Sequence, residues 1–150
     1  MKQFRRILYP TDFSKAAGPA FSQALQLAEQ NRAELLLVHV QLRPAEYVGD
    51  GYLPPKTYEA LDAEARQSAQ KRLSILLARA REAKVRAKAF LLDGVPAEQI
   101  ARAARSKRAD LIVMGTHGRT GLSRLFLGSV TARVIPLAHC PVLSVRGKAR

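Results

Sequence analysis

A chain of 150 residues, 47% hydrophobic and 25% charged, has the size and composition of one globular domain with a sizeable core. No apolar run reaches the roughly 20 residues that span a bilayer. The N-terminus MKQFRRILYP lacks the apolar stretch of a secretory leader, and the single cysteine, Cys140, excludes an internal disulfide. The expectation is therefore a cytoplasmic protein with no membrane partner. The net charge of +13 is uneven: residues 1–75 hold 10 Lys/Arg against 8 Asp/Glu, a net of +2, and residues 76–150 hold 15 against 4, a net of +11. Such an excess attracts polyanions, or is merely a basic solvated surface.

In chain order, Phe4–Tyr9 reads as a first strand. Pro10, Thr11, Asp12 and Phe13 follow as a turn, with Ser14 as N-cap of the first helix. Ala17, Phe21, Ala24, Leu25 and Ala28 recur there at helical spacing. Leu35–Val40 is a second strand, continuously apolar as when both faces are covered. Gln41–Lys56, with three prolines and two glycines, is a long loop. Thr57 opens a long helix whose apolar side includes Tyr58, Leu61, Ala65, Ala69, Leu73 and Ala80. Val85–Leu92 is an edge-like third strand, and Arg86 and Lys88 would blunt an exposed edge. Asp93-Gly94 is a turn. Pro96–Lys107 is a helix, with Pro at its first position and Glu98 in its first turn. Asp110–Met114 is a fourth strand and Pro141–Val145 a fifth.

Strands alternating with helices predict a parallel sheet covered on both faces, with no internal repeat. Ligands of such sheets bind beyond the strands' carboxyl ends, where the strand order reverses. If the first and fourth strands are neighbours, the loops after them face one cleft. The loop after the fourth strand is GTHGRTGLSRLFLGS, with Gly115, Gly118 and Gly128-Ser129 spaced G-x2-G-x9-G-S. A helix, Val130–Ala138, follows it. Glycine lets backbone approach a ligand closely, and a helix start offers unpaired N–H groups to an anion. Arg119 and Arg124 add cations. The pattern points to a phosphate cradle, hence a nucleotide-binding protein.

ILYPTDFS (Ile7–Ser14), LLLVHV (Leu35–Val40), DGVPAEQI (Asp93–Ile100), ADLIVMGTHGRTGL (Ala109–Leu122), LGSV (Leu127–Val130) and CPVLSVR (Cys140–Arg146) together resemble the universal stress protein family, in its ATP-binding subgroup, over essentially the whole length. The resemblance implies a single Rossmann-like domain with a five-stranded sheet of order 3-2-1-4-5, and a homodimer paired through the fifth strands. It implies that Pro10, Thr11 and Asp12 line the adenine and ribose end, that Val40 meets adenine through its backbone, and that Met114 packs near the ribose. It places Gly115, His117, Gly118, Arg119, Gly128, Ser129 and Val130 around the phosphates, with Mg²⁺ bridging them. Gly121 is an extra glycine in that loop.

Plainer readings stand beside these. Asp12 also suits a turn carboxylate, and Ser129 an ordinary N-cap. His117 also suits a solvated turn. His39 reads as a packed or hydrogen-bonded structural residue, and Cys140 as a small buried apolar one. No His or Cys has zinc-ligand spacing, so no protein-held metal site is expected. The chain lacks G-x4-G-K-[ST] and an evident residue to activate water. At most slow ATP hydrolysis is expected, with no catalytic residues assigned. The reading is a stress-response or signalling protein that uses nucleotide occupancy as a switch toward an unidentified protein partner. The alternative is sequence-blind nucleic-acid binding by the basic half.

Overall fold

The computed structural model describes residues 3–42, 51, 53–116 and 128–147. Its strands are β1 (Arg6–Pro10), β2 (Glu34–Gln41), β3 (Ala87–Asp93), β4 (Leu111–Gly115) and β5 (Val142–Val145). They form one sheet of order β3-β2-β1-β4-β5, and every pairing is parallel. The expected fold is thus present. The helices are α1 (Gly18–Asn31), α2 (Pro55–Glu82), α3 (Pro96–Ser106) and α4 (Ser129–Leu137).

Strand side chains alternate between two cores. Ile7, Tyr9, Leu35, Leu37 and Val113 meet α1 and α2, where Phe21, Ala24, Leu73 and Ala80 are buried. Leu8, Leu36, Val38, Ile112 and Met114 meet α3 and α4, where Ile100, Ala104 and Val134 are buried. The continuous apolar run of β2 serves both cores at once.

Several boundaries differ from the sequence reading for local reasons. A 3-10 turn, Lys15–Ala17, precedes α1, and Ser14 makes no capping hydrogen bond with its side chain. The helix starts instead at Gly18, with Pro19 supplying a preset φ in its first turn. α2 starts two residues before Thr57, at Pro55, again a proline in the first turn. Only its C-terminal part is covered: Ala69, Leu73 and Ala80 are buried, whereas Leu61 is 44% exposed. At ~1.5 Å per residue, 28 residues make a rod of about 42 Å, against about 26 Å for the eight residues of β2. Gln41, the last residue of β2, reaches Asp62, so the turns before it extend past the sheet, where Leu61 is exposed and Tyr58 half-buried. Among the described residues β3 pairs only with β2 and is the expected edge, with Lys88 exposed and paired to Glu34 at 3.2 Å. The Asp93-Gly94 turn is present, Gly94 holding φ +128° that other residues adopt only under strain. Cys140 is half-buried rather than buried, and burial pushes its thiol pKa up.

Tyr9, at the penultimate position of β1, donates its hydroxyl to the Ala17 carbonyl at 2.8 Å. Burial pushes its phenol up to about 12, with the Asp12 charge adding and the Thr11 hydroxyl and Arg79 opposing. The folded state therefore holds the neutral phenol above the pH where the unfolded chain loses its proton, near 10. This contribution to stability is complete below pH 10 and is lost as pH rises toward 12, at roughly 1.4 kcal/mol per pH unit. Tyr9→Phe should be less stable than wild type at pH 7 by about 1 kcal/mol, for the lost hydrogen bond. It should also lack that alkaline slope, so the two proteins' denaturation curves converge above pH 10. A constant gap up to pH 12 would show the phenol is not held neutral.

Candidate functional site

The strand order reverses between β1 and β4, which pair directly through Ile7–Leu111 and Leu8–Ile112. Thr11 and Thr116 therefore leave the sheet from neighbouring strand ends, at the kind of edge where parallel sheets bind ligands.

On the β1 side, Pro10 ends the strand and is buried. Thr11 N–H donates to the Val38 carbonyl at 2.8 Å, which carries the β1–β2 ladder one residue further. The Thr11 hydroxyl accepts from Phe13 N–H at 2.9 Å, and the Asp12 carboxylate accepts from Ser14 N–H at 2.9 Å. These are the side-chain turns that the Thr-Asp pair predicts. Between them Phe13 takes a left-handed φ of +61°, a conformation costing a bulky residue about 1–3 kcal/mol. His39 holds this elbow. Its ring lies 4.5 Å from that of Phe13, and Nδ1 is 2.7 Å from the Thr11 carbonyl. A carbonyl only accepts, so Nδ1 carries the proton. The structural role expected of His39 is the one it has. Val40, near the end of β2, is half-buried beside the α3/α4 core.

On the β4 side, Gly115 is the last strand residue rather than the first loop residue. Met114 is buried in the α3/α4 core. Gly128, not Ser129, is the N-cap of α4, and Ser129 is its first residue. Two threonines that sequence reasoning missed position this helix. Thr131 is buried and donates its hydroxyl to the Gly115 carbonyl at 2.8 Å. Thr116 is buried, its N–H donates to the Val145 carbonyl, and its own carbonyl accepts from Gly128 N–H. The hydroxyls of Thr116 and Ser144 lie 3.1 Å apart. The first turn of α4 is thereby tied to the ends of β4 and β5. Ala132 N–H returns to the Gly128 carbonyl at 2.9 Å, so the N–H groups of Ser129, Val130 and Thr131 precede the helix's own ladder. They lie over the β4 end, where an anion would gain from them and from the helix dipole. The sequence signal for the missed pair is a threonine directly after the strand glycine and another two residues into the helix.

Pro10, Thr11, Asp12, Val40, Gly115, Gly128, Ser129 and Val130 thus all belong to the carboxyl edge of β2, β1 and β4 or to the helix tied to it, with Met114 beneath. His117, Gly118 and Arg119, with Gly121 and Arg124, lie outside the described residues. Among the described residues no three His, Cys, Asp or Glu side chains group as metal ligands, and no helix is long and apolar enough to cross a membrane.

The universal stress protein family model matches residues 3–146. The chain belongs to the universal stress protein family. A curated relative, universal stress protein MJ0531 of Methanocaldococcus jannaschii, is 39% identical over 144 residues, covering 95% of this chain and 82% of its own. The solved structure of MJ0577 from the same organism superposes with a TM-score of 0.86 at 28% identity, covering 99% of this universal stress protein and 100% of that chain. A universal stress protein from Archaeoglobus fulgidus in complex with dAMP gives a TM-score of 0.67 at 21% identity, over 97% of this chain and 100% of that one, a likeness of fold alone.

Proposed function

We propose that this universal stress protein binds ATP, with Mg²⁺, in the cleft between the Thr11–Phe13 elbow and the start of α4, and acts as an occupancy switch in the cytoplasm. The observation that carries the reading is the anchoring of α4. Thr131 and Thr116 fasten its first turn to the ends of β4 and β5 at the point where the strand order reverses. A helix start fixed in this way is a preorganised anion site. Pro10, Thr11 and Asp12 take the adenine and ribose end, where the Asp12 carboxylate accepts from ribose hydroxyls. Val40 meets adenine through its backbone, and Met114 supports the ribose from below. Gly115, His117, Gly118, Arg119, Gly128, Ser129 and Val130 surround the phosphates. Mg²⁺ would be held mainly through the nucleotide's phosphates, would neutralise their charge there, and would need no cluster of protein carboxylates. The adenine nucleotide in the Archaeoglobus protein makes the ligand class concrete within this fold.

Occupancy signals only if it favours one conformation over another. The state it stabilises is a homodimer paired through β5, an edge strand. Leu143 on β5 and Ile135 and Leu137 on α4 are 37%, 47% and 48% exposed, and such a pairing covers them. Chemistry on the phosphates is absent or very slow, since the chain lacks the lysine-bearing phosphate loop of the fast nucleotide hydrolases.

A ligand that binds only the folded state raises its stability, by about 2.7 kcal/mol at a hundredfold excess over Kd. Mg-ATP at that excess should raise the melting temperature by roughly 5–10 °C, and GTP should not. An equal response to both, or to neither, would remove the adenine nucleotide from this account.

A further inference from the structure

The sheet edge opposite the cleft carries a second pattern. α1, α2 and α3 each end on a residue in the left-handed region: Arg32 at φ +54°, Lys84 at +58° and Arg108 at +54°. The three turns are built alike. Each basic residue donates its N–H three residues back, to Glu29, Arg81 and Arg105. The next residue donates five back, as Ala33 to Ala28, Val85 to Ala80 and Ala109 to Ala104, at 2.9, 2.9 and 2.8 Å. This is the helix stop that normally selects glycine or asparagine, the residues that adopt it at least cost. Here all three positions are cationic and exposed. The helix dipole accounts for a cation at a helix end, but α2 and α3 already carry Arg81 and Arg105 in their last turns.

Because every strand is parallel, all three turns fall on the same edge. Arg5 before β1 and Arg86 before β3 join them, both exposed. In strand order the row runs Lys84 and Arg86, Arg32, Arg5, Arg108. Three strand spacings of ~4.8 Å make it about 15 Å long. Glu34 at this edge is taken by Arg6 and Lys88, and Asp110 accepts the backbone N–H groups of Arg5 and Arg6. Among the described residues no carboxylate pairs with Arg32, Lys84, Arg86 or Arg108. The row draws on both halves of the chain, although the charge excess lies in the second.

We propose that this edge binds the phosphate backbone of duplex nucleic acid through Arg32, Lys84 and Arg108. A duplex presents one charge per ~1.7 Å of axis, so a row of about 15 Å faces several phosphates. Among the described residues the aromatic ring beside the row is that of Phe4, which packs against the α1/α2 core and so is not free to stack a base. The large apolar side chains exposed among the described residues are on α2, α4 and β5, so the row holds no apolar wedge for a membrane. The contact reads phosphate alone and is blind to sequence.

The test is fluorescence anisotropy of a labelled 20-base-pair duplex with the full chain, between 50 and 200 mM salt. Two unrelated sequences should bind within about twofold of each other. The triple variant R32G/K84G/R108G should bind at least tenfold more weakly at 50 mM salt. Its slope of log K against log salt should shrink by about 2.7, or ~0.9 for each phosphate no longer neutralised. Glycine suits all three turns, so the fold should survive; R32N/K84N/R108N repeats the measurement with the other favoured residue. K56Q/K71Q/R102Q removes the same charge away from the edge and should leave the slope unchanged. Equal losses in the two triple variants would assign binding to net charge and overturn the proposal. So would a wild type that binds phosphatidylserine vesicles or polyglutamate but not the duplex, or that binds none of them.

Discussion

Gly128→Val should abolish measurable Mg-ATP binding, weakening it at least a hundredfold, while the protein stays folded. Gly128 sits at φ −55° and ψ 148°, an extended conformation that valine adopts readily. Its N–H bond to Thr116 survives the substitution. Exchanging glycine for valine at an N-cap costs about 1 kcal/mol, or roughly 2–4 °C in melting temperature. The functional cost is of another kind. A branched side chain at the cap stands where phosphate oxygens would approach the first N–H groups of α4. Calorimetric titration of the variant reads the loss directly. Undiminished affinity in Gly128→Val would move the phosphates away from α4. Gly118→Val makes the parallel test from the loop side.

Phe21→Ala should be the most destabilising single truncation in the α1/α2 core, by about 3–5 kcal/mol. Phe21 is 1% exposed, meets the Tyr9 ring edge-on at 5.4 Å, and lies under the Arg79 guanidinium at 4.6 Å. Removing it opens a cavity behind Tyr9, the residue that enters the Pro10-Thr11-Asp12 turn. Denaturant unfolding should show the loss, and the melting temperature should fall by roughly 10 °C. Leu61→Ala, on the overhanging part of α2, should cost less than about 0.5 kcal/mol. A comparable cost at both positions would show that the α2 overhang is covered in solution.

Much of this architecture was legible in the chain. The continuous apolar runs of β2 and β4 and the proline and glycine punctuation locate the elements to within a few residues. The strand order came from family resemblance, because periodicity places elements but not their neighbours. The less legible parts are those decided by partners distant in sequence. Thr131 reads as an ordinary helix residue until its hydroxyl meets the Gly115 carbonyl sixteen residues away. Phe13 gives no local sign of a left-handed backbone; the Thr11 and Asp12 side-chain turns and the His39 ring impose it. Ser14 looks like a cap, but its hydroxyl is buried with no hydrogen-bond partner among the described residues, while a 3-10 turn starts the helix. The three left-handed helix stops are hidden because each carries Arg or Lys where the usual signal is glycine. Their trace in the sequence is an alanine four residues before a basic residue that precedes Ala or Val, three times over. The long apolar stripe of α2 predicted more burial than the shorter sheet can supply.

The most direct measurement is calorimetric titration of nucleotide-stripped protein with Mg-ATP at moderate salt, with GTP as the comparison. Saturable binding of one ATP per chain and at least tenfold weaker binding of GTP are the expected result. A folded protein that takes up neither, or both alike, would contradict it and leave the anchored start of α4 as a purely structural feature of the fold.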